Sequence, residues 1–213
     1  MSQTTKAYLL IKEKLLNGSI KNGEMLSERV LSEKLSIGRM PVREAIKDLI
    51  REELLWTVPG RGAYVRQLSA DEVQELYEAR YAIEGMAAYL AAMRGDKEEI
   101  KTLGRAIKEE ITSGDSDSGQ LQALGAELHS AIFRAAANRE LDKMHKHLHN
   151  KMVLNMRLSR MSNTVRIQDS AEEHLDIVEA VISGDSIASR ASMERHLEAS
   201  LNVRTSLFDL NTT

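Results

Sequence analysis

The sequence has no cysteine, only two prolines and 4% aromatic residues in 213 positions. The missing cysteine excludes disulfides, thiolate metal sites and cysteine nucleophiles, and leaves any metal chemistry to histidines and carboxylates. So few prolines leave long stretches without a helix breaker. No uninterrupted apolar run reaches the roughly 18–20 residues of a membrane span. The start MSQTTKAYLL lacks the basic segment, apolar run and cleavage site of a signal peptide, so a cytoplasmic protein is expected. What is present is 29% charged and 42% hydrophobic residues, alternating in helical periods over most of the length. A mostly α fold is expected, with a real core and either one large domain or two modest ones.

Charge is placed unevenly. The formal net charge is −3, but residues 1–69 hold 12 Lys+Arg against 8 Asp+Glu (+4), and the rest hold 17 against 24 (−7). A basic segment suits a polyanion, whereas an acidic helical body does not. All six histidines (His129, His145, His147, His149, His174, His196) lie in the acidic part, where any metal site is therefore expected.

Three helical stripes occupy the first 51 residues. TKAYLLIKEKLLN (5–17) aligns Tyr8, Ile11 and Leu15, and Gly18 follows at the place of a C-terminal cap. IKNGEM reads as a turn, and Ser27 as the N-cap of ERVLSEKL, which buries Val30, Leu31 and Leu35 and shows Arg29 and Lys34 to solvent. After the turn SIG, Pro41 sits just inside a helix start, where its missing N–H costs nothing. Val42, Ala45, Ile46, Leu49 and Ile50 form the inner stripe of that helix and leave Arg39, Arg43 and Lys47 together outside. Two runs rich in aromatic and β-branched residues, 54–58 and 63–66, flank PGRG as a β-hairpin with a basic tip. Three short helices and a hairpin are the plan of a winged helix-turn-helix. In that plan the N-terminal residues of the helix in the major groove reach base edges, which is the place of Arg39 and Arg43, while Lys47 and Arg51 screen phosphates. A merely solvated basic face is the plainer account, but it requires neither the preceding capped helix nor a hairpin tipped by Arg61.

The stretch LSERVLSEKLSIGRMPVREAIKDLIREELLWTVPGRGAYVRQLS (26–69) resembles the N-terminal domain of the GntR family of bacterial transcription regulators. That family's pattern runs L-S-E, a short helix, S-R-x-P-V-R-E-A-L, then a wing with G-R-G. The resemblance implies that Arg29, Arg39, Met40 and Gly60 approach DNA, with Arg43 and Arg61 alongside. Two departures stand out: Gly38 holds the place of a usual Ser or Thr, and Asn22 that of a proline. The first removes a helix N-cap and a phosphate contact, which bears on operator preference more than on DNA binding.

Ser69 and Glu72 form a capping box that opens a long helix through about Met93. A domain boundary follows at about residue 68, giving a DNA-binding domain over 1–68 and an all-helical effector-binding and dimerisation domain over 69–213. Further helical patterns occupy about 96–112, 120–137, 139–160, 169–183 and 185–208, enough for a six-helix bundle. LYEARYAIEGMAAYLAA (76–92), LHSAIFRAAANREL (128–141) and EEHLDIVEAVISGDSIASRASMERHL (172–197) resemble the effector domain (FCD) of the FadR-type branch of that family, in its six-helix variety.

Metal-binding members of that branch use an Asp four residues before a His on one helix and one His from each of two later helices. His129, His174 and His196 match the imidazoles, but the Asp place is Gly125. That leaves either a three-histidine site completed by effector or water, or no metal. Zinc is the default divalent ion for three imidazoles, with nickel, manganese and iron as alternatives. His145, His147 and His149 read as exposed helix surface, and the methionines, Met152, Met156 and Met161 among them, as core filler. Arg80 stands one turn before Glu84: either it makes an intrahelical ion pair, or, as the resemblance suggests, it points inward to an effector carboxylate. Arg134 and Arg157 are further candidates for that task, and Asn138 reads as a helix cap.

The expectation is a homodimeric, ligand-responsive regulator, most simply a repressor, on double-stranded operator DNA. Its two recognition helices would lie about 34–36 Å apart on a palindrome, and its effector would be a small organic acid. A metal-dependent enzyme using the three histidines is the alternative, although no motif supplies it with a base or nucleophile.

Overall fold

The computed structural model describes residues 1–113, 117–156 and 164–210. These divide into two compact units, one of Met1–Ser69 with the helical residues from His149 to 156, the other of the remaining residues.

The first unit begins with α1 (Gln3–Asn17), capped by the Ser2 side chain, which accepts from the Thr5 N–H, and closed by Gly18 in the left-handed conformation. Its buried face is Ala7, Ile11 and Leu15, with Tyr8 half-buried at the edge. The strand β1 (Met25–Leu26) follows, then α2 (Glu28–Leu35), whose Ser27 cap accepts from the Val30 N–H. Ser36 takes φ 52° and turns the chain into α3 (Arg39–Arg51). That helix buries Val42, Ala45, Ile46 and Leu49, while Arg39, Arg43 and Lys47 are exposed. Pro41 lies in its first turn, where no intrahelical bond to its nitrogen is lost. A small network pins α1 to the end of α3: the Tyr8 hydroxyl and the Lys12 ammonium both donate to the Glu52 carboxylate, at 2.5 and 2.8 Å.

The wing is β2 (Leu55–Val58) and β3 (Gly62–Val65), antiparallel, with Val58 opposite Gly62. Its tip turns through Gly60 at φ 72°, a conformation that costs a residue with Cβ and explains the glycine. The sheet has one more strand than the sequence pattern reveals, in order β1-β3-β2, because Met25 and Leu26 pair with Tyr64 and Ala63. Two residues are too few to show an alternation, so this strand read as part of a turn.

The second unit is helical among its described residues: α4 (Ala70–Arg94), α5 (Glu98–Thr112), α6 (Ser118–Ala136), α7 (Arg139–Met156), α8 (Thr164–Ser183) and α9 (Ser186–Leu210). α4 packs against α6, α8 and α9. Ala87, Ala88, Ala91 and Ala92 are buried on it, and such small side chains let neighbouring helices come close. α5 and α8 approach closely as well, since a Cβ on Gly104 would fall 2.6 Å from Val178 Cγ1. Asn138 caps α7, its side-chain oxygen accepting from the N–H groups of Glu140 and Leu141. α8 begins five residues earlier than its pattern suggested, at Thr164 rather than 169.

Candidate functional site

The first candidate surface is the outer face of α2, α3 and the wing tip. Gly38 precedes α3 without any side-chain cap, so the first N–H groups of the helix are left to solvent or to an anion. Arg29, Arg39, Met40, Arg43, Gly60 and Arg61 are all exposed. They differ in what holds them. Arg43 donates from Nε to both oxygens of Glu28, at 2.9 and 3.1 Å, a carboxylate on the first turn of α2. Arg29 pairs with Glu33 one turn along α2, at 3.0 Å. Among the described residues no carboxylate pairs with Arg39 or Arg61. Met40 is 61% exposed, a large apolar side chain beside Arg39 that contributes nothing to the core.

The second candidate site lies inside the helical unit. His129 from α6, His174 from α8 and His196 from α9 are buried, and one donor atom from each lies within 4.8 Å of the others. His129 Nε2 is 3.2 Å from His174 Nε2 and 3.3 Å from His196 Nε2. Behind two of these rings stand carboxylates: Glu84 Oε2 lies 2.5 Å from His129 Nδ1, and Glu173 Oε2 lies 2.8 Å from His196 Nδ1. Each carboxylate is held in turn by an arginine. Arg80 donates from Nε to Glu84 Oε1 at 2.6 Å, and Arg166 donates to both oxygens of Glu173, each at 3.0 Å.

Protonation follows from this wiring. Burial by itself would raise the Glu84 carboxyl, but the Arg80 guanidinium and His129 outweigh it and hold it well below the usual carboxylate range. Burial first, and the neighbouring imidazoles next, push His174 and His196 well below the usual histidine value, so both are neutral near pH 7. An ionised carboxylate only accepts, so His129 and His196 turn a protonated Nδ1 to Glu84 and Glu173, which leaves both Nε2 atoms facing inward. The two Nε2 atoms lie 3.3 Å apart, a separation that a shared proton or a metal cation between them can satisfy. That separation is also close to the roughly 3.3–3.4 Å between nitrogens of a tetrahedral ion with metal–nitrogen bonds of about 2.0–2.1 Å. The donor set therefore fits a divalent ion of the imidazole-preferring kind, with His129, His174 and His196 as ligands.

Gly125 lies one turn before His129 on α6. A Cβ there would fall 2.4 Å from His174 Cε1 and 2.9 Å from its Nδ1, so the His174 ring fills the space in which a side chain at 125 would begin. A surface cavity of about 380 Å³ borders His196, lined also by Glu173, Asp176, Ser192, Arg195, Glu198, Ala199 and Asn202. Three carboxylates against one guanidinium make that opening more favourable to cations than to anions.

Several expectations are corrected here. Arg80 makes the intrahelical pair with Glu84, and that pair is buried inside the helical unit, Arg80 being 2% exposed. Arg134 is exposed and binds Glu99 and Glu127, away from the histidines. His145 is not surface: it is 6% exposed and stacks on Phe133, with ring centroids 4.0 Å apart. Met152 and Met193 are buried, but Met25, Met40, Met86, Met93 and Met144 are exposed, so core filling accounts for a minority of the methionines. Arg157 and Met161 lie outside the described residues, as does the side chain of Met156. Glu84, Glu173 and Arg166 were not recognised as parts of the site. The signal for one pair was present, since Arg166 and Glu173 are two turns apart on one helix and Glu173 adjoins His174.

A winged helix-turn-helix joined to an all-helical unit defines the class of a DNA-binding regulator of transcription. The comparisons agree. Residues 3–65 match the family model described as bacterial regulatory proteins, gntR family, and residues 75–199 match the FCD domain. The Nta operon transcriptional regulator of Aminobacter aminovorans is 31% identical over 73% of this chain and 72% of its own length. The probable D-xylose utilization operon transcriptional repressor of Paenarthrobacter nicotinovorans is 29% identical over 88% of this chain and 82% of its own. A solved putative GntR transcriptional regulator from Rhodococcus sp. RHA1 shares the fold, with a TM-score of 0.81 at 21% identity over 97% of this chain and 99% of that one. The chain belongs to the GntR family of transcription regulators, with an FCD domain. It is a DNA-binding regulator and not a metal-dependent enzyme. No described helix is long and apolar enough to cross a membrane.

Proposed function

We propose that the protein is a cytoplasmic, homodimeric repressor of metabolic genes, with a DNA-binding domain over 1–68 and an effector-binding and dimerisation domain over 69–213. Arg39, Arg43 and Met40 at the start of α3 read the major groove, Arg29 supports them from α2, and Gly60 and Arg61 bring the wing to the adjacent backbone. The exposure of Arg39 and Arg61, with no carboxylate partner among the described residues, supports this assignment. Arginine forks to guanine O6 and N7, each such pair giving about 1–3 kcal/mol of discrimination. Names of relatives that include operon regulators and repressors support the direction of control.

In the second unit His129, His174 and His196 hold a divalent metal, zinc being the default for three imidazoles and nickel, manganese or iron the alternatives. When bound, such an ion would supply a Lewis-acidic positive charge to an anionic ligand, with the three imidazoles holding it in place. The observation that carries this reading is the convergence of three buried imidazoles from three helices, with His129 Nε2 3.2 and 3.3 Å from the Nε2 atoms of His174 and His196. Three neutral imidazoles supply no charge to balance a divalent ion, and Arg80 and Arg166 already neutralise the carboxylates behind them. A small organic acid therefore suits the remaining coordination position, with the buried Arg80 as the candidate to receive its second polar group. By differential affinity such a ligand favours one arrangement of the DNA-binding domains over another.

The test has two parts. Selection of binding sites from random duplex DNA should yield a palindrome with half-sites one helical turn apart, and Arg39→Ala with Arg43→Ala should abolish its preference over random DNA. Unchanged specific affinity in that double variant would refute the assignment of α3. Elemental analysis of the purified chain beside His174→Ala should show metal in the first and little in the second; equal contents would refute the metal centre.

A further inference from the structure

We propose that Glu84, Glu173 and Gly125 are positioning residues that fix the three imidazole donors before anything binds. Two rings are held by arginine–carboxylate relays, and the third is seated in room that a glycine leaves open. The proposal rests on reading the histidine cluster as a metal centre.

The two relays are built alike from different elements. Arg80, Glu84 and His129 join α4 to α6, and Arg166, Glu173 and His196 join α8 to α9. In each, the carboxylate takes an arginine and an imidazole Nδ1 at once, so its own orientation is fixed while it fixes the ring. A hydrogen bond to Nδ1 sets the tautomer, prevents the ring from flipping and raises the basicity of Nε2. The Arg166 guanidinium is itself braced, donating to Ser200 Oγ at 3.2 Å. Glu84 is fully buried, and each of its oxygens is engaged, one by Arg80 and the other by His129.

His174 lacks such a support: among the described residues its ring nitrogens meet no carboxylate. What places it is shape. Its Cε1 and Nδ1 would lie 2.4 and 2.9 Å from a Cβ on residue 125, below any ordinary contact. A helix interior otherwise disfavours glycine, so Gly125 has a reason in the ring it accommodates. In this chain the place where a side-chain ligand at 125 would begin is taken by the His174 ring, and the centre presents three nitrogens.

The experiment titrates the full-length chain with Co2+ and Zn2+, reading the cobalt ligand-field spectrum and competition with a chromogenic chelator. Glu173→Ala and Gly125→Ala are compared with wild type and with Glu99→Gln, whose carboxylate serves only the exposed Arg134 pair. Circular dichroism and melting verify the fold of each. The expected result is an affinity lower by about 10–100-fold in Glu173→Ala and Gly125→Ala. The cobalt spectrum should also shift in Gly125→Ala, which adds no ligand and removes none, and Glu99→Gln should match wild type. Wild-type uptake with both site variants within about twofold of it and spectra unchanged overturns the proposal alone. A wild-type chain that takes up neither ion overturns the metal reading itself, and the proposal with it.

Discussion

The two candidate sites place their charged side chains under opposite conditions. On the DNA-binding face the arginines of α2 and α3 are exposed and their ion pairs, Arg29 with Glu33 and Arg43 with Glu28, lie at the surface. In the helical unit Arg80 and Glu84 are 3% and 0% exposed at the side chain, and their pair faces a buried histidine. Surface pairs are cheap to break and re-form, which suits groups that must exchange a carboxylate for a phosphate or a base. Buried pairs are costly to break, which suits groups that must stand still around a ligand. One unit is built to exchange partners and the other to keep them.

The largest effect that tests this contrast is on stability. Glu84→Ala leaves the Arg80 guanidinium buried without its partner and should cost about 3–5 kcal/mol in chemical denaturation. Glu33→Ala removes a one-turn helix pair and should stay within about 0.5 kcal/mol of wild type. Equal costs for the two would dissolve the distinction between the units.

A second effect sharpens the comparison within the DNA-binding face. Among the described residues Arg39 has no carboxylate to leave, whereas Arg43 must part from Glu28 before it can meet DNA. Arg39→Ala should lower operator affinity on the order of tenfold or more, with little change in melting temperature. Arg43→Ala should lose less, because part of its interaction with DNA is spent on releasing Glu28. Fluorescence anisotropy across a range of salt separates the roles, since loss of a phosphate contact reduces the salt slope by about one and loss of a base contact does not. A larger loss at Arg43 than at Arg39 would reverse the ranking.

What the sequence discloses differs between the units for the same physical reason. The winged helix is a local object: the stripes of α1 and α3, the Ser27 cap and the PGRG tip are each contained within a few consecutive residues. Periodicity and turn chemistry display such things directly. The histidine centre is not local. His129 lies 45 residues from His174 and 67 from His196, and helical spacing says nothing about which faces of α6, α8 and α9 will meet. Those three were found through the family resemblance; Glu173 was missed because a Glu adjoining a His looks like solvated helix surface, and Glu84 because the sequence shows only its spacing to Arg80. His145 misled in the opposite direction: its neighbours Lys143, Lys146 and His147 suggest an exposed face, yet it is stacked on Phe133 from another helix.

The smallest predicted effect concerns the residue that joins the two themes of capping and recognition. Gly38 has φ −57° and ψ 153°, a backbone that any residue adopts, so its side chain is absent for no conformational reason. A Cβ there would meet Pro41 Cδ at 3.6 Å, an ordinary contact. Gly38→Ser therefore fits, and its hydroxyl can accept from an N–H in the first turn of α3, which has no side-chain cap at present. Because glycine is itself a fair N-cap, the gain should be only a few tenths of a kcal/mol, read as a small rise in the denaturation midpoint. The larger consequence should lie in recognition. The added hydroxyl stands beside Arg39 at the helix end that approaches DNA, where it either donates to a phosphate or competes for the N–H groups that would bind one. Comparing the sites selected from random DNA by the two proteins decides between these: a tighter but unchanged preference marks a phosphate contact, and an altered preference next to the bases read by Arg39 marks Gly38 as part of the specificity of this chain.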